Sequence, residues 1–195
     1  MRPFAAALGA LLFVAGVSVS AQDRPNILLI IGDDIGVDKV NAYGECVEAA
    51  NTPILDLIAE HGLLFRNVWS NPFCSPTRAT LLTGRYGFRT GIGHFLDLEG
   101  DLELSLDEAT LPELLAPEYH TAAVGKWHLS GAGDDSYMHP LLSGFDRYSG
   151  SISNIDDYYD WEKVVDGEVS HGTLGPAAQT RRPCPKLYSL SIRKR

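Results

Sequence analysis

The chain has 195 residues, of which 45% are hydrophobic, and a formal net charge of −9 at neutral pH. Residues 181–195 contain six basic residues and no acidic one, so residues 1–180 carry a net charge of −15. A body this acidic argues against a nucleic acid as the partner.

Residues 1–21 have the pattern of a secretory signal peptide. Arg2 precedes an apolar stretch from Phe4 to Val19, and small residues lead up to Ala21. As a membrane helix this stretch is short and interrupted by glycine, and no second span follows it. We therefore predict cleavage after Ala21, export to the periplasm or out of the cell, and no stable membrane span.

Alternating strand and helix patterns then predict a layered α/β fold. The continuous apolar run from Pro25 to Ile31 indicates a central strand that is buried on both faces. A helix is predicted to begin at Asn51-Thr52-Pro53 and to end at Gly62. Further predictions are strands over 63–69, 121–124 and 162–166, a helix over 110–115, and a loop over 91–107.

Asp33 and Asp34 come directly after the first predicted strand. The carboxyl end of a central strand is where open α/β sheets bind ligands, and two carboxylates there suit a hard cation. Taken alone, such a pair is more often a solvated turn or a helix cap. The motif around Cys74, further along the chain, favours the metal site over the solvated turn or cap.

Cys74 is predicted to lie at the positive N-terminal end of a short helix that stops at Gly84. An exported protein more often uses a cysteine in a disulfide or as a buried thiol. The chain also contains Cys46 and Cys184, and this odd number leaves at least one thiol unpaired.

Lys126 and His128 follow another predicted strand. A lysine there can bind an anionic ester as a point charge, and a histidine two residues later can exchange a proton. Either residue alone would be read as a solvated loop side chain.

The run Cys74-Ser75-Pro76-Thr77-Arg78, followed by Thr83-Gly84-Arg85, resembles the signature of the type I sulfatases. Gly125-Lys126-Trp127-His128 and Asp33-Asp34 match further motifs of that family in the same order. The resemblance implies an alkaline-phosphatase-like α/β sandwich with a mostly parallel central sheet, incomplete in this chain. It also implies a sulfuric ester hydrolase that acts on a sulfate-ester small molecule or a sulfated glycan.

The same resemblance assigns roles to the site residues. Cys74 would be converted to formylglycine (3-oxoalanine) by a formylglycine-generating enzyme, and Arg78 would hydrogen-bond the resulting diol. Asp33, Asp34 and an oxygen of the modified Cys74 would bind Ca²⁺ or Mg²⁺. Lys126 and His128 would act in catalysis and bind the sulfate.

The resemblance covers residues 22–172, the N-terminal part of a sulfatase domain, and we find no second metal-binding pair after Asp166. Residues 173–195 form a basic tail in which we identify no apolar periodicity. We interpret this tail as disordered, or as the product of a truncation or frameshift, with a basic arm for polyanions as the alternative. The chain would then be a truncated, weakly active or inactive form. The alternative functions are a phosphoric or phosphonic ester hydrolase of the same fold and a non-catalytic secreted fragment.

Overall fold

The computed structural model describes most of the chain between residues 24 and 194. The described residues are 24–45, 50–97, 100, 102–133, 135–155, 157, 159–172 and 187–194. The predicted signal peptide, Cys46 and Cys184 lie outside them. In the described part of the chain, no helix has the length and apolar character that crossing a membrane requires.

A single mixed sheet forms the centre of the fold. Within the described residues it has six strands in the order β1–β6–β2–β3–β4–β5. The strands are β1 (Ile27–Gly32), β2 (Tyr119–Val124), β3 (Arg147–Gly150), β4 (Trp161–Val165), β5 (Glu168–Gly172) and β6 (Leu187–Lys194).

The pairing confirms the α/β class and corrects the expectation of mostly parallel strands. Only β2 and β3 pair in parallel among the described strands, and the other pairs are antiparallel. Strands β1 and β2 do run in the same direction, because each is antiparallel to β6, which lies between them. Strands β4 and β5 are antiparallel because a tight turn at Asp166-Gly167 joins them.

Strand β6 lies in the tail for which no ordered element was expected. Its backbone pairs Leu190 with Leu29 of β1 on one side and with Ala123 of β2 on the other. The sequence signal that we missed is the alternation of Tyr188, Leu190 and Ile192 with polar residues. The prediction that the tail is disordered is therefore wrong for residues 187–194.

The four α-helices of the described residues are α1 (Pro53–His61), α2 (Cys74–Thr83), α3 (Leu111–Leu115) and α4 (His139–Leu142). Three of them lie within about two residues of their predicted bounds, and α4 was not predicted. Helix α2 ends at Gly84, whose φ of 67° is the left-handed conformation that glycine adopts at a helix terminus. In α3, Thr110 and Glu113 form a capping box.

Two predictions about strands are wrong. The segment 63–69 forms no strand, and Trp69 within it is 92% exposed. Strand β1 forms, but at the edge of the sheet, with Leu28 62% exposed instead of buried. An apolar run predicts burial only if other segments cover it, and no segment among the described residues covers these.

The buried core lies against α2 and β2 and reaches the segment that follows β2. Trp127 is central to it and meets Phe145 and Tyr148 edge-on, with ring centroids 5.9 and 6.3 Å apart. Because Trp127 lies between Lys126 and His128, core packing fixes the backbone of both predicted site residues.

Candidate functional site

Cys74 and His128 meet at the N-terminus of α2. The Sγ of Cys74, a free thiol, lies 3.1 Å from Nδ1 of His128. His128 is 1% exposed, whereas Cys74 is partly exposed. The pair therefore joins a buried imidazole to a partly exposed cysteine.

The second nitrogen of His128 determines how the first one acts. Nε2 lies 2.9 Å from the carbonyl oxygen of Leu96, which can only accept a hydrogen bond, so Nε2 carries the proton. Nδ1 then presents a lone pair to the Cys74 thiol. Burial, followed by the charge of Lys126, lowers the pKa of His128 to about 4. The imidazole is therefore neutral near pH 7 and able to accept a proton at Nδ1.

Three buried charges form a cluster beside this pair. Lys126 donates from Nζ to Oδ2 of Asp33 at 3.1 Å, and Arg78 donates from a guanidinium nitrogen to Oδ1 at 3.4 Å. Arg78 also donates to the backbone carbonyl of Lys126 at 2.5 Å. All three side chains are less than a tenth exposed.

The cluster has one more positive than negative charge. Burial would raise the pKa of Asp33, but Lys126 and Arg78 offset that effect and hold the pKa below its ordinary 3.8. Asp33 is therefore ionised and pairs with both cations. Two cations in such a cluster favour an anionic ligand at this place.

The backbone after β2 explains how these side chains are presented. Backbone N–H groups of Gly125, Trp127 and His128 donate to carbonyl groups of residues 149–152. A side chain at Gly150 would have its Cβ 1.8 Å from the Gly125 oxygen, so this approach requires glycine. His128 has a φ of 60°, a conformation that is uncommon outside glycine and typical of functional sites.

The predicted metal pair is only partly assembled. Asp33 lies in the buried cluster, whereas the residue after it, Asp34, is exposed and has a φ of 58°. Carboxylate oxygens suit a hard divalent cation. However, no group of three or more His, Cys, Asp and Glu side chains in the described part of the chain could hold a metal ion. The donors fit such a cation in kind, and they supply part of a ligand set.

Sequence reasoning missed the residues that position Cys74 and His128. The Leu96 carbonyl sets the tautomer of His128, and the Leu96 N–H donates to Oγ of Ser75 at 3.0 Å. The buried His139 accepts a hydrogen bond at Nδ1 from the Trp127 indole at 3.1 Å. A backbone carbonyl such as that of Leu96 leaves no signal in a sequence. His139 does leave one, because His139 and Pro140 lie only a few residues before Gly144-Phe145-Asp146 in the chain.

The buried His139 predicts a pH-dependent stability. Burial lowers its pKa below 6.5, although the Leu104 carbonyl and Glu103 partly oppose this effect. Below about pH 6.5, His139 is protonated in the unfolded chain more readily than in the native protein. The free energy of unfolding therefore decreases as the pH falls. Between about pH 7.5 and about pH 5.5, urea denaturation should show the parent losing up to about 1 kcal/mol more than His139→Asn. The exposed His61 provides the control: His61→Asn should follow the parent, and an equal pH response in all three proteins would contradict this account.

The family model for sulfatases matches residues 25–179. Among curated proteins, pig (Sus scrofa) N-acetylgalactosamine-6-sulfatase is 40% identical over 176 residues, which cover 78% of this chain and 33% of that protein. Human (Homo sapiens) steryl-sulfatase is 36% identical over 159 residues, 75% of this chain and 27% of that protein. The chain therefore spans about a third of the length of the relatives it matches.

A solved structure also matches this chain in fold. It comes from work on the metabolism of multiple glycosaminoglycans by Bacteroides thetaiotaomicron. It matches this chain with a TM-score of 0.60 and 28% identity, covering 71% of this chain and 30% of that chain. A mixed sheet with helices, matched to part of a longer chain, is consistent with an incomplete alkaline-phosphatase-like α/β fold.

Proposed function

The chain belongs to the sulfatase family, and on this basis we propose that the protein hydrolyses sulfuric esters, with Cys74 as the source of the nucleophile. The observation that carries the proposal is the 3.1 Å contact of Cys74 with a neutral His128 beside a buried cluster of net positive charge. A sulfate ester is an anion that is attacked at sulfur. The site thus pairs a nucleophile and base with cations suited to the ester.

The proposal includes the conversion of Cys74 to formylglycine by a formylglycine-generating enzyme. One hydroxyl of the hydrated aldehyde would attack sulfur and displace the alcohol of the ester, which leaves with a proton. Deprotonation of the second hydroxyl would then expel sulfate and restore the aldehyde. The N-terminus of α2, where Cys74 lies, favours negative charge on the attacking oxygen. An unmodified cysteine would have no second hydroxyl for release.

The other residues then have distinct roles. His128 accepts or returns a proton at Nδ1, and its orientation is fixed by the Leu96 carbonyl. Lys126 contributes positive charge to the sulfate, and Arg78 bonds to the diol of the modified Cys74. Asp33 holds both cations in place in the described structure.

We also propose that a divalent cation, Ca²⁺ or Mg²⁺, belongs to the active protein. Asp33, Asp34 and an oxygen of modified Cys74 would provide part of its ligand set. A bound cation would polarise the sulfate and stabilise the charge that develops on its oxygens. The remaining ligands would come from outside the described residues.

The substrate proposed is a sulfate-ester small molecule or a sulfated glycan. The curated relatives are named for N-acetylgalactosamine-6-sulfate and steryl sulfate esters, which are a sugar ester and a polycyclic ester.

Export to the periplasm or out of the cell is proposed from residues 1–21 alone.

Turnover of matched aryl esters tests the proposed reaction. We expect protein co-produced with a formylglycine-generating enzyme and supplied with Ca²⁺ or Mg²⁺ to release 4-nitrophenol from 4-nitrophenyl sulfate. Turnover of 4-nitrophenyl phosphate should be much slower, and Cys74→Ala should remove the sulfatase activity. Faster phosphate turnover would favour the phosphoric ester hydrolase. No turnover of either ester would favour the non-catalytic alternative.

A further inference from the structure

Strand β6 joins the two strands that lead into the buried charge cluster. It lies between β1 and β2 in the sheet and pairs with six residues of each. Asp33 directly follows β1, and Lys126 follows the end of β2 by two residues. Among the described residues, β6 is the sole strand that pairs with β1. The sheet therefore connects Asp33 to Lys126 through the backbone of β6.

The register of β6 brings the ends of the two strands level. Gly32, the last residue of β1, lies opposite Leu187, and Val124, the last residue of β2, lies opposite Ser189. Counting on two residues from Val124 brings Lys126 level with Leu187, and therefore with Gly32. A shift of either strand by two residues along β6 would separate these ends by about 7 Å. The register thus places the lysine beside the aspartate that follows Gly32.

The width of β6 also sets the distance across the cluster. Neighbouring strands lie about 4.8 Å apart, so β6 holds β1 and β2 about 10 Å apart. Without β6, the two strands, which run in the same direction, would either stay unpaired or pair directly at about half that distance. Hydrogen bonds of 3.1 and 3.4 Å from Lys126 and Arg78 to Asp33 do not tolerate either change.

Two further contacts hold β1 at its opposite end. Tyr119 donates to the Pro25 carbonyl at 3.2 Å, and Arg24 forms an ion pair with Glu118 in which both side chains are about half exposed. Pro25 lies eight residues before Asp33. An exposed ion pair contributes little to stability. These contacts anchor the start of β1, and the pairing with β6 extends to the end that carries the aspartate.

We propose that β6, residues 187–194, is a positioning segment of the site, whose backbone pairing holds Asp33 in contact with Lys126 and Arg78. The tail then has a structural role, in place of the disorder or the polyanion binding considered from the sequence. This role does not depend on the proposed reaction, because the contacts of Asp33 stabilise the fold whether or not an ester is hydrolysed.

A double-mutant cycle on the full chain tests this role. Leu190→Pro removes a backbone N–H from the middle of an interior strand, so β6 should no longer pair along its length. Asp33→Asn should then cost less stability, because the carboxylate no longer meets both cations. By urea denaturation, we expect the loss caused by Asp33→Asn to be about half as large, or less, in the Leu190→Pro chain as in the parent.

Two variants serve as matched controls. Ser170→Pro makes the same kind of change in β5, which pairs with neither β1 nor β2 in the described sheet. Arg193→Gln removes a charge from the tail at a residue that pairs with His120, near the start of β2 and away from the site. In both backgrounds, the loss caused by Asp33→Asn should equal that in the parent, as for independent positions. The proposal is overturned if Leu190→Pro leaves this loss unchanged, or if either control variant reduces it as much.

Native-state hydrogen exchange provides a second measurement in case Leu190→Pro does not fold. In the parent, separation of β6 removes the strand that pairs with β1 in the described part of the chain. The amides of residues 27–32 and 187–194 should therefore open in one step as urea is added below the unfolding transition. Protection of residues 27–32 at urea concentrations at which residues 187–194 have exchanged would overturn the proposal.

Discussion

Replacing Asp33 with asparagine is expected to lower the free energy of unfolding by about 3–5 kcal/mol. Asp33 is the carboxylate that bonds to both Lys126 and Arg78, and all three side chains are nearly inaccessible to water. Without this carboxylate, Lys126 and Arg78 lose the negative charge that offsets the cost of burying them. Urea denaturation of the parent and of Asp33→Asn near neutral pH measures the loss.

The next residue provides a matched control for this substitution. Asp34→Asn makes the same chemical change at an exposed position, and asparagine tolerates the positive φ found there. We expect a change within about 0.5 kcal/mol. Equal losses in the two variants would contradict the conclusion that Asp33, and not the neighbouring Asp34, stabilises Lys126 and Arg78.

Replacing His128 with asparagine is expected to reduce kcat for 4-nitrophenyl sulfate by about 10²- to 10⁴-fold, the usual contribution of a general acid or base. The imidazole is neutral, and its free nitrogen points at Cys74. Asparagine is the replacement of choice because it tolerates the φ of 60° at this position. Steady-state kinetics, with circular dichroism to verify folding, measure the effect.

The control for that experiment is His120→Asn, at a histidine whose side chain is 64% exposed. It should leave kcat within about twofold of the parent, as expected for an exposed position outside the site. A folded His128→Asn protein with a kcat equally close to that of the parent would show that His128 does not transfer the proton.

The sequence predicts local structure around the site well, because strong local signals specify it. Pro53 and Gly62 bound α1, Gly84 stops α2, and Asp33 follows β1 directly as predicted. The same is true of Lys126 and His128, which follow β2. Chemical motifs placed at strand ends therefore allow a site to be assembled before its geometry is known.

Burial and sheet pairing are predicted less well, because they depend on segments far away in the chain. The apolar run of β1 predicts a strand covered on both faces, but Leu28 is exposed. The segment 63–69 was predicted as a strand and forms none, and Trp69 within it is exposed. Strand β6 was missed because its short alternating pattern lies among prolines and basic residues. Likewise, the Leu96 carbonyl that orients His128 has no sequence signal, since every residue has such a group.

The mass of the tryptic peptide spanning residues 67–78 tests most directly whether Cys74 becomes the nucleophilic group. This peptide is bounded by Arg66 and Arg78 and contains Cys74 as its single cysteine. In protein produced with an active formylglycine-generating enzyme, we expect a peptide lighter than the thiol form by about 18 Da, and this species should accompany turnover of 4-nitrophenyl sulfate. A peptide found only with its thiol intact, in protein that still hydrolyses the ester, would contradict the account.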